Sequence, residues 1–81
     1  MNPFADASFI VAAFAPDEHS MRAWRWWRKT NAAVMTTRLS LFEAENAVRA
    51  LPLGGKCSAS EARKALDGIK RALLEGLLVR R

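Results

Sequence analysis

The chain has little of what small domains use as covalent or metallic staples. Its 81 residues include one cysteine, Cys57, and one histidine, His19. Intramolecular disulfides, zinc fingers and multi-histidine metal sites are therefore excluded. Cys57 reads as an inert thiol in a loop, because a reactive thiol needs an activating setting. Long apolar runs are also missing. Residues 8–15, SFIVAAFA, have the look of a signal-peptide core. No basic residue precedes them, Asp6 does, and they are far too short to span a bilayer. They read instead as a buried first helix, which makes a cytoplasmic chain the simplest expectation. No repeat, low-complexity segment or internal domain boundary is visible.

What is present fits one small α/β unit. The hydrophobic fraction is 51%, enough for a core and too much for a disordered chain. A chain this short buries a modest share of its surface, so its independent stability is marginal. Thirteen Lys and Arg stand against eight Asp and Glu, for a net charge of +5. That balance favours a polyanion such as RNA, or an acidic protein, but only modestly.

Residues 3–6 resemble a short strand ending at an acid, and Asp6 or Ser8 can cap the helix that follows. Pro16 stops that helix. Asp17 and Glu18 open a second one, where acids favour the helix dipole, and it runs to about Thr30. Residues 32–36, AAVMT, are an apolar strand between polar neighbours. A third helix covers residues 38–51. Pro52, Gly54 and Gly55 break the chain. Ser58 and Glu61 form a capping box for a fourth helix over residues 59–75, with Ala62, Ala65, Leu66, Ile69, Ala72 and Leu73 as its apolar stripe. Gly76 is a natural stop, and residues 77–79 read as a last strand before Arg80 and Arg81. The order β-α-α-β-α-α-β implies an α/β fold with a short parallel sheet covered by helices.

The third helix, RLSLFEAENAVRAL, carries the main site signal. At 100° per residue, Leu39, Leu41, Ala44, Ala47, Val48, Ala50 and Leu51 fill one arc, and Glu43 falls inside it. Glu45 falls outside, one turn before Arg49, as an ordinary exposed pair. A carboxylate on a buried face needs a cation, a raised pKa or a metal. Asp6 follows the first strand, and sites in open parallel sheets gather at the C-terminal ends of strands. Both acids can thus meet at one edge, where carboxylates suit Mg²⁺ or Mn²⁺. Taken alone, Glu43 also fits a partly buried acid satisfied by an arginine or an amide, and Asp6 a helix cap.

The second helix offers another pattern. Trp24 and Trp27 share its inward side with Ala23, while Arg22, Arg25 and Lys29 line the opposite one and Trp26 flanks both. Trp26 with Arg22 and Arg25 is a candidate contact to RNA or to a protein partner. The plainer reading is core tryptophans beside a solvated basic face.

Taken together, these segments resemble the N-terminal part of a PIN domain, in particular the VapC-type toxin ribonucleases of toxin–antitoxin pairs. Asp6-Ala7-Ser8 is similar to the family's opening motif. Residues 8–19 resemble its first helix and proline–acid break. Residues 37–49 resemble its L-x-x-x-E-x-x-N-A-L-R segment, with Glu43 at the acid and Asn46 at the asparagine. Residues 58–79 resemble the helix and strand that follow. The resemblance implies a three-layer α/β sandwich and Mg²⁺- or Mn²⁺-dependent cleavage of RNA. Asp6 and Glu43 would be catalytic metal ligands, with Ser8 and Asn46 as supports. An antitoxin protein and a second copy of the chain would be partners. The family domain is longer, and its remaining acids lie beyond the third strand, so residues 1–81 are expected to form a partial domain, incomplete at its C-terminus. Apolar surface left uncovered there favours dimerisation or exchange of elements between chains. Two alternatives remain beside the nuclease: a non-catalytic interaction module, and a small RNA-binding module built on the Trp–Arg helix.

Overall fold

A computed structural model describes residues 3–81. It is a mixed α/β protein with four helices and a two-stranded parallel sheet. The elements are α1 (Ala7–Phe14), α2 (Ser20–Thr30), β1 (Val34–Thr36), α3 (Arg38–Ala50), α4 (Ala59–Leu74) and β2 (Leu78–Arg80). β1 and β2 pair in the register Val34–Leu78, Met35–Val79 and Thr36–Arg80. The expected first strand shrinks to one parallel bridge, Phe4 to Met35. Two backbone bonds hold it: Ala5 N–H donates to Met35 at 2.7 Å, and Met35 N–H donates to Pro3 at 2.8 Å. β1 thus lies between the Phe4 segment and β2.

Thr36 ties that edge together. It is fully buried, and its hydroxyl donates to the Ala5 carbonyl at 3.0 Å. A buried hydroxyl is tolerated when it is bonded in this way. The residue after Ala5 is Asp6, and the residue after Thr36 is Thr37. Each caps a helix: Asp6 accepts from the Phe9 amide, and Thr37 accepts from the Ser40 amide at 2.9 Å. Two strand ends therefore turn into two helices side by side.

α1 packs against all three other helices, which explains why its sequence is apolar almost all round. Ile10 and Ala13 are its most buried side chains. Alanines at Ala44, Ala62, Ala65 and Ala72 let the helices approach closely, around Val48 and Ile69. Gly68, in the interior of α4, has a matching role. A Cβ there would come within 3.2 Å of the Phe14 ring of α1, so the bare backbone makes room for that ring.

The α4 capping box between Ser58 and Glu61 forms as expected. Its end is a Schellman turn: Gly76, at φ +77°, donates to Leu73, and Leu77 donates to Ala72 at 2.9 Å. The Leu77 carbonyl then accepts from Val34, handing the chain directly into the sheet. The expected apolar stripe of α4 holds, with Ala62, Ala65, Ile69 and Ala72 buried and Leu66 and Leu73 packed beside them.

α2 starts later than its acids suggested. Asp17 and Glu18 lie in a turn in which Asp17 Oδ1 accepts from the His19 amide at 2.7 Å, and the helix begins at Ser20. The aspartate side chain competes for the backbone amide and forms a local turn instead of a first helical turn. No helix among the described residues is long and apolar enough to cross a membrane.

Candidate functional site

Asp6 sits at the C-terminal edge of the Phe4 segment, as expected from its place after a strand. Its carboxylate is exposed but held. Oδ1 accepts from the Phe9 amide at 3.0 Å and from the Ser8 hydroxyl at 2.8 Å. The Phe9 amide first and the Ser8 hydroxyl second hold its pKa below the usual carboxylate value; burial opposes them, and the Ser8 and Asp6 amides lower it further. Asp6 is therefore an anion at neutral pH. Both bonds fall on Oδ1, so Oδ2 has no partner among the described residues. The Ser8 hydroxyl thus meets Asp6, and the capping role expected of Asp6 taken alone is present.

Glu43 is a correction. It is exposed, not set in a buried arc. The buried residues of α3 are Leu41, Ala44 and Val48, with Leu51 and Glu45 half-buried. Leu39 is 68% exposed, and Ala47 and Ala50 face outward with it. The apolar arc read from the sequence spans about 200°, more than one side of a helix can bury against α1 and α4. The side holding Leu41 and Val48 is covered, and the Leu39, Glu43, Ala47 side is left out. Glu43 makes no hydrogen bond or ion pair among the described residues. Asn46 is also exposed, and its Oδ1 accepts from Arg49 Nη1 at a long 3.4 Å.

A second grouping was not foreseen. A cleft of about 520 Å³ between α1 and α2 is lined by Phe4, Asp6, Phe9, His19, Arg22 and Trp26, among others. Asp6, singled out in the sequence as a metal ligand, shares its wall with Arg22 and Trp26, singled out as an RNA or partner contact. Glu43, Asn46 and Arg25 do not line it. His19 also meets Glu18, Nε2 to Oε1 at 3.4 Å, an ion pair once the imidazole is protonated.

Aromatic packing shapes the cleft. Trp27 is buried and stands between Phe9 and Phe14, with ring centroids at 5.8 and 5.7 Å. Trp24 stacks on Trp27 at 5.2 Å and meets Phe14 edge-on. Trp26 meets Phe9 edge-on at 5.0 Å. Trp24 is 36% exposed and Trp26 40%. The two are the shoulders of a buried stripe centred on Trp27, so Trp24 is less inward than its phase implied. Phe9 and Phe4 were missed as wall residues. The signal for Phe9 lay in the sequence, one turn of α1 past Asp6; Phe4 needed the strand register.

A hard cation such as Mg²⁺ takes oxygen ligands and commonly keeps several waters beside one or two carboxylates. Asp6 Oδ2 fits that donor chemistry, and so does the unpartnered Glu43 carboxylate. Among the described residues, no group of three or more His, Cys, Asp or Glu is placed to hold a metal ion. No family model, curated protein or solved structure matches this chain.

Proposed function

We propose that the chain is the N-terminal part of a PIN-like three-layer sandwich, and that it contributes Asp6 and Glu43 to a Mg²⁺- or Mn²⁺-dependent endoribonuclease site. It would be the toxin half of a toxin–antitoxin pair. The observation that carries this reading is the Asp6 carboxylate. It is ionised, braced by the Ser8 hydroxyl and the start of α1, open at Oδ2, and set where a parallel strand ends. Activation of water and neutralisation of charge on the phosphodiester is the chemistry such an ion supplies. The residues of this chain have narrower tasks. Asp6 offers a fixed anionic oxygen, Ser8 keeps the carboxylate from rotating, and Glu43 supplies a second carboxylate from α3.

The test is RNA cleavage by the whole chain with Mg²⁺ or Mn²⁺, compared with Asp6→Asn and Glu43→Gln. Asparagine caps a helix as well as aspartate, so Asp6→Asn removes the charge and leaves α1 intact. Cleavage that is metal-dependent and lost in both variants supports the reading. A parent chain that cleaves nothing ends it for this chain.

The exposed apolar side chains favour a second reading, a non-catalytic interaction or dimerisation module. Leu39, Phe42, Leu53 and Leu74 are 60–89% exposed. Sedimentation equilibrium tests it: mass should rise with concentration, and Phe42→Glu should abolish the rise.

A further inference from the structure

We infer that the α1–α2 cleft is a binding site for single-stranded nucleic acid, with one base stacked on Trp26 and a neighbouring phosphate held by Arg22. The inference goes beyond the nuclease reading, because binding here needs neither a metal nor Glu43.

Of the three tryptophans, Trp26 is the most exposed. Trp27 fills the core, and Trp24 stacks on it. Trp26 keeps 40% of its surface exposed while the edge-on contact with Phe9 holds its ring in place. An ordered and open indole is a stacking platform that loses little freedom when a base arrives. Phe4, 55% exposed, supplies a second apolar wall.

The charge on α2 has one sign. α2 carries Arg22, Arg25, Arg28 and Lys29 and no acid. None of the four makes an ion pair among the described residues. Arg22, Arg25, Trp26 and Lys29 stand at i, i+3, i+4 and i+7, which places them on one face of the helix. Cations along one face that make no ion pair with the protein fit a polyanion. Interleaved with an exposed aromatic, they fit a nucleic-acid strand better than an acidic protein segment, which has carboxylates but few flat rings to stack.

The anionic Asp6 gives the site a direction. It repels phosphate from its own end of the cleft and accepts N–H donors from a base edge. The backbone therefore runs on the α2 side, and the base points toward α1. A cleft of about 520 Å³ takes an unstacked base, which a duplex does not present.

The experiment is fluorescence anisotropy of a short fluorescein-labelled single-stranded RNA titrated with the whole chain in EDTA, at several salt concentrations. The same RNA as a duplex is run in parallel. Trp26→Ala should weaken binding about tenfold with the far-UV circular dichroism spectrum unchanged, and Trp26→Phe should recover most of that loss. Arg22→Gln should reduce the slope of log affinity against log salt by about 0.7. Arg63→Gln, an exposed cation of α4, should leave affinity nearly unchanged. The inference is overturned if the parent binds no single strand or prefers the duplex. It is overturned equally if Arg63→Gln matches Arg22→Gln, or if Trp26→Ala changes only self-association, which assigns the cleft to a protein surface. Binding without cleavage keeps this site and removes the nuclease. Cleavage indifferent to Trp26→Ala does the reverse.

Discussion

α1 and α3 begin alike and hold their acids in opposite ways. Each helix starts just past the pairing of Phe4 with Met35, and each is capped by a side-chain oxygen, from Asp6 or Thr37. The α1 acid is the cap itself, fixed by the Ser8 hydroxyl and the Phe9 amide. The α3 acid, Glu43, lies in the second turn, exposed and unpartnered among the described residues. Position at a cap is set by backbone geometry, which local sequence dictates. Position around a helix is set by what packs against it, which local sequence states only when the apolar arc is narrow.

The strongest test of that contrast lies within α3. Leu41 is 4% exposed and Leu39 is 68% exposed, in the same helix and with the same side chain. Leu41→Ala should cost about 2–5 kcal/mol, enough to unfold much of a marginal domain. Leu39→Ala should stay within about 0.5 kcal/mol. Urea unfolding followed by far-UV circular dichroism measures both. Equal losses would mean that the outward side of α3 is covered after all, as it would be in a dimer formed through that side. Repeating the Leu39→Ala measurement at low and high protein concentration separates the two cases.

The same logic explains what the sequence disclosed. The α4 capping box, its alanine and isoleucine stripe and the Gly76 stop were legible because each is a local rule obeyed in a local segment. The parallel pairing of residues 34–36 with 78–80 followed from strands separated by helices. The phase of α3 was not legible. Leucines and alanines lie on both sides of Glu43, and only α1 and α4 decide which side is buried. The first strand was expected over residues 3–6, and among the described residues it forms one bridge, Phe4 to Met35. Of the candidate site, the cap at Asp6 was legible, because capping is a local rule, and the cleft was not. His19, Arg22 and Phe9 meet only once α2 has turned back on α1, and no spacing along the chain records that turn.

A smaller effect is expected at Asp6. Asp6→Ala removes the cap from α1 and should cost about 1 kcal/mol, while Asp6→Asn should cost little at neutral pH. The pH dependence distinguishes them further. The carboxyl's pKa is lowered in the folded chain by the Phe9 amide and the Ser8 hydroxyl, so the unfolded chain binds its proton more readily. The resulting stability is present above the unfolded value, about 3.9, and is lost as the pH falls through the lower folded value. The parent should therefore lose more stability than Asp6→Asn between pH 5 and the acid limit, as read by chemical denaturation at each pH. Ser8→Ala should show an intermediate acid sensitivity, because only the second of the two bonds is gone. Identical profiles for the parent and Asp6→Asn would mean that the carboxylate is not held in solution, and its claim to be a preorganised ligand would fall with that.

The smallest expected effect is also the most discriminating. Glu43→Gln changes a charge on an exposed side chain that makes no hydrogen bond or ion pair among the described residues. Glutamine and glutamate have similar helix propensities, so stability should change by less than about 0.5 kcal/mol. A buried acid freed of its charge would behave differently, because removing a desolvated anion from an apolar face stabilises the chain measurably. A gain well above 1 kcal/mol would therefore restore the buried-acid reading of α3. A comparable loss would reveal a cation or amide paired with Glu43. A null result makes Glu43→Gln a clean probe of chemistry: with the fold unchanged, any cleavage the parent shows and the variant lacks belongs to the carboxylate alone.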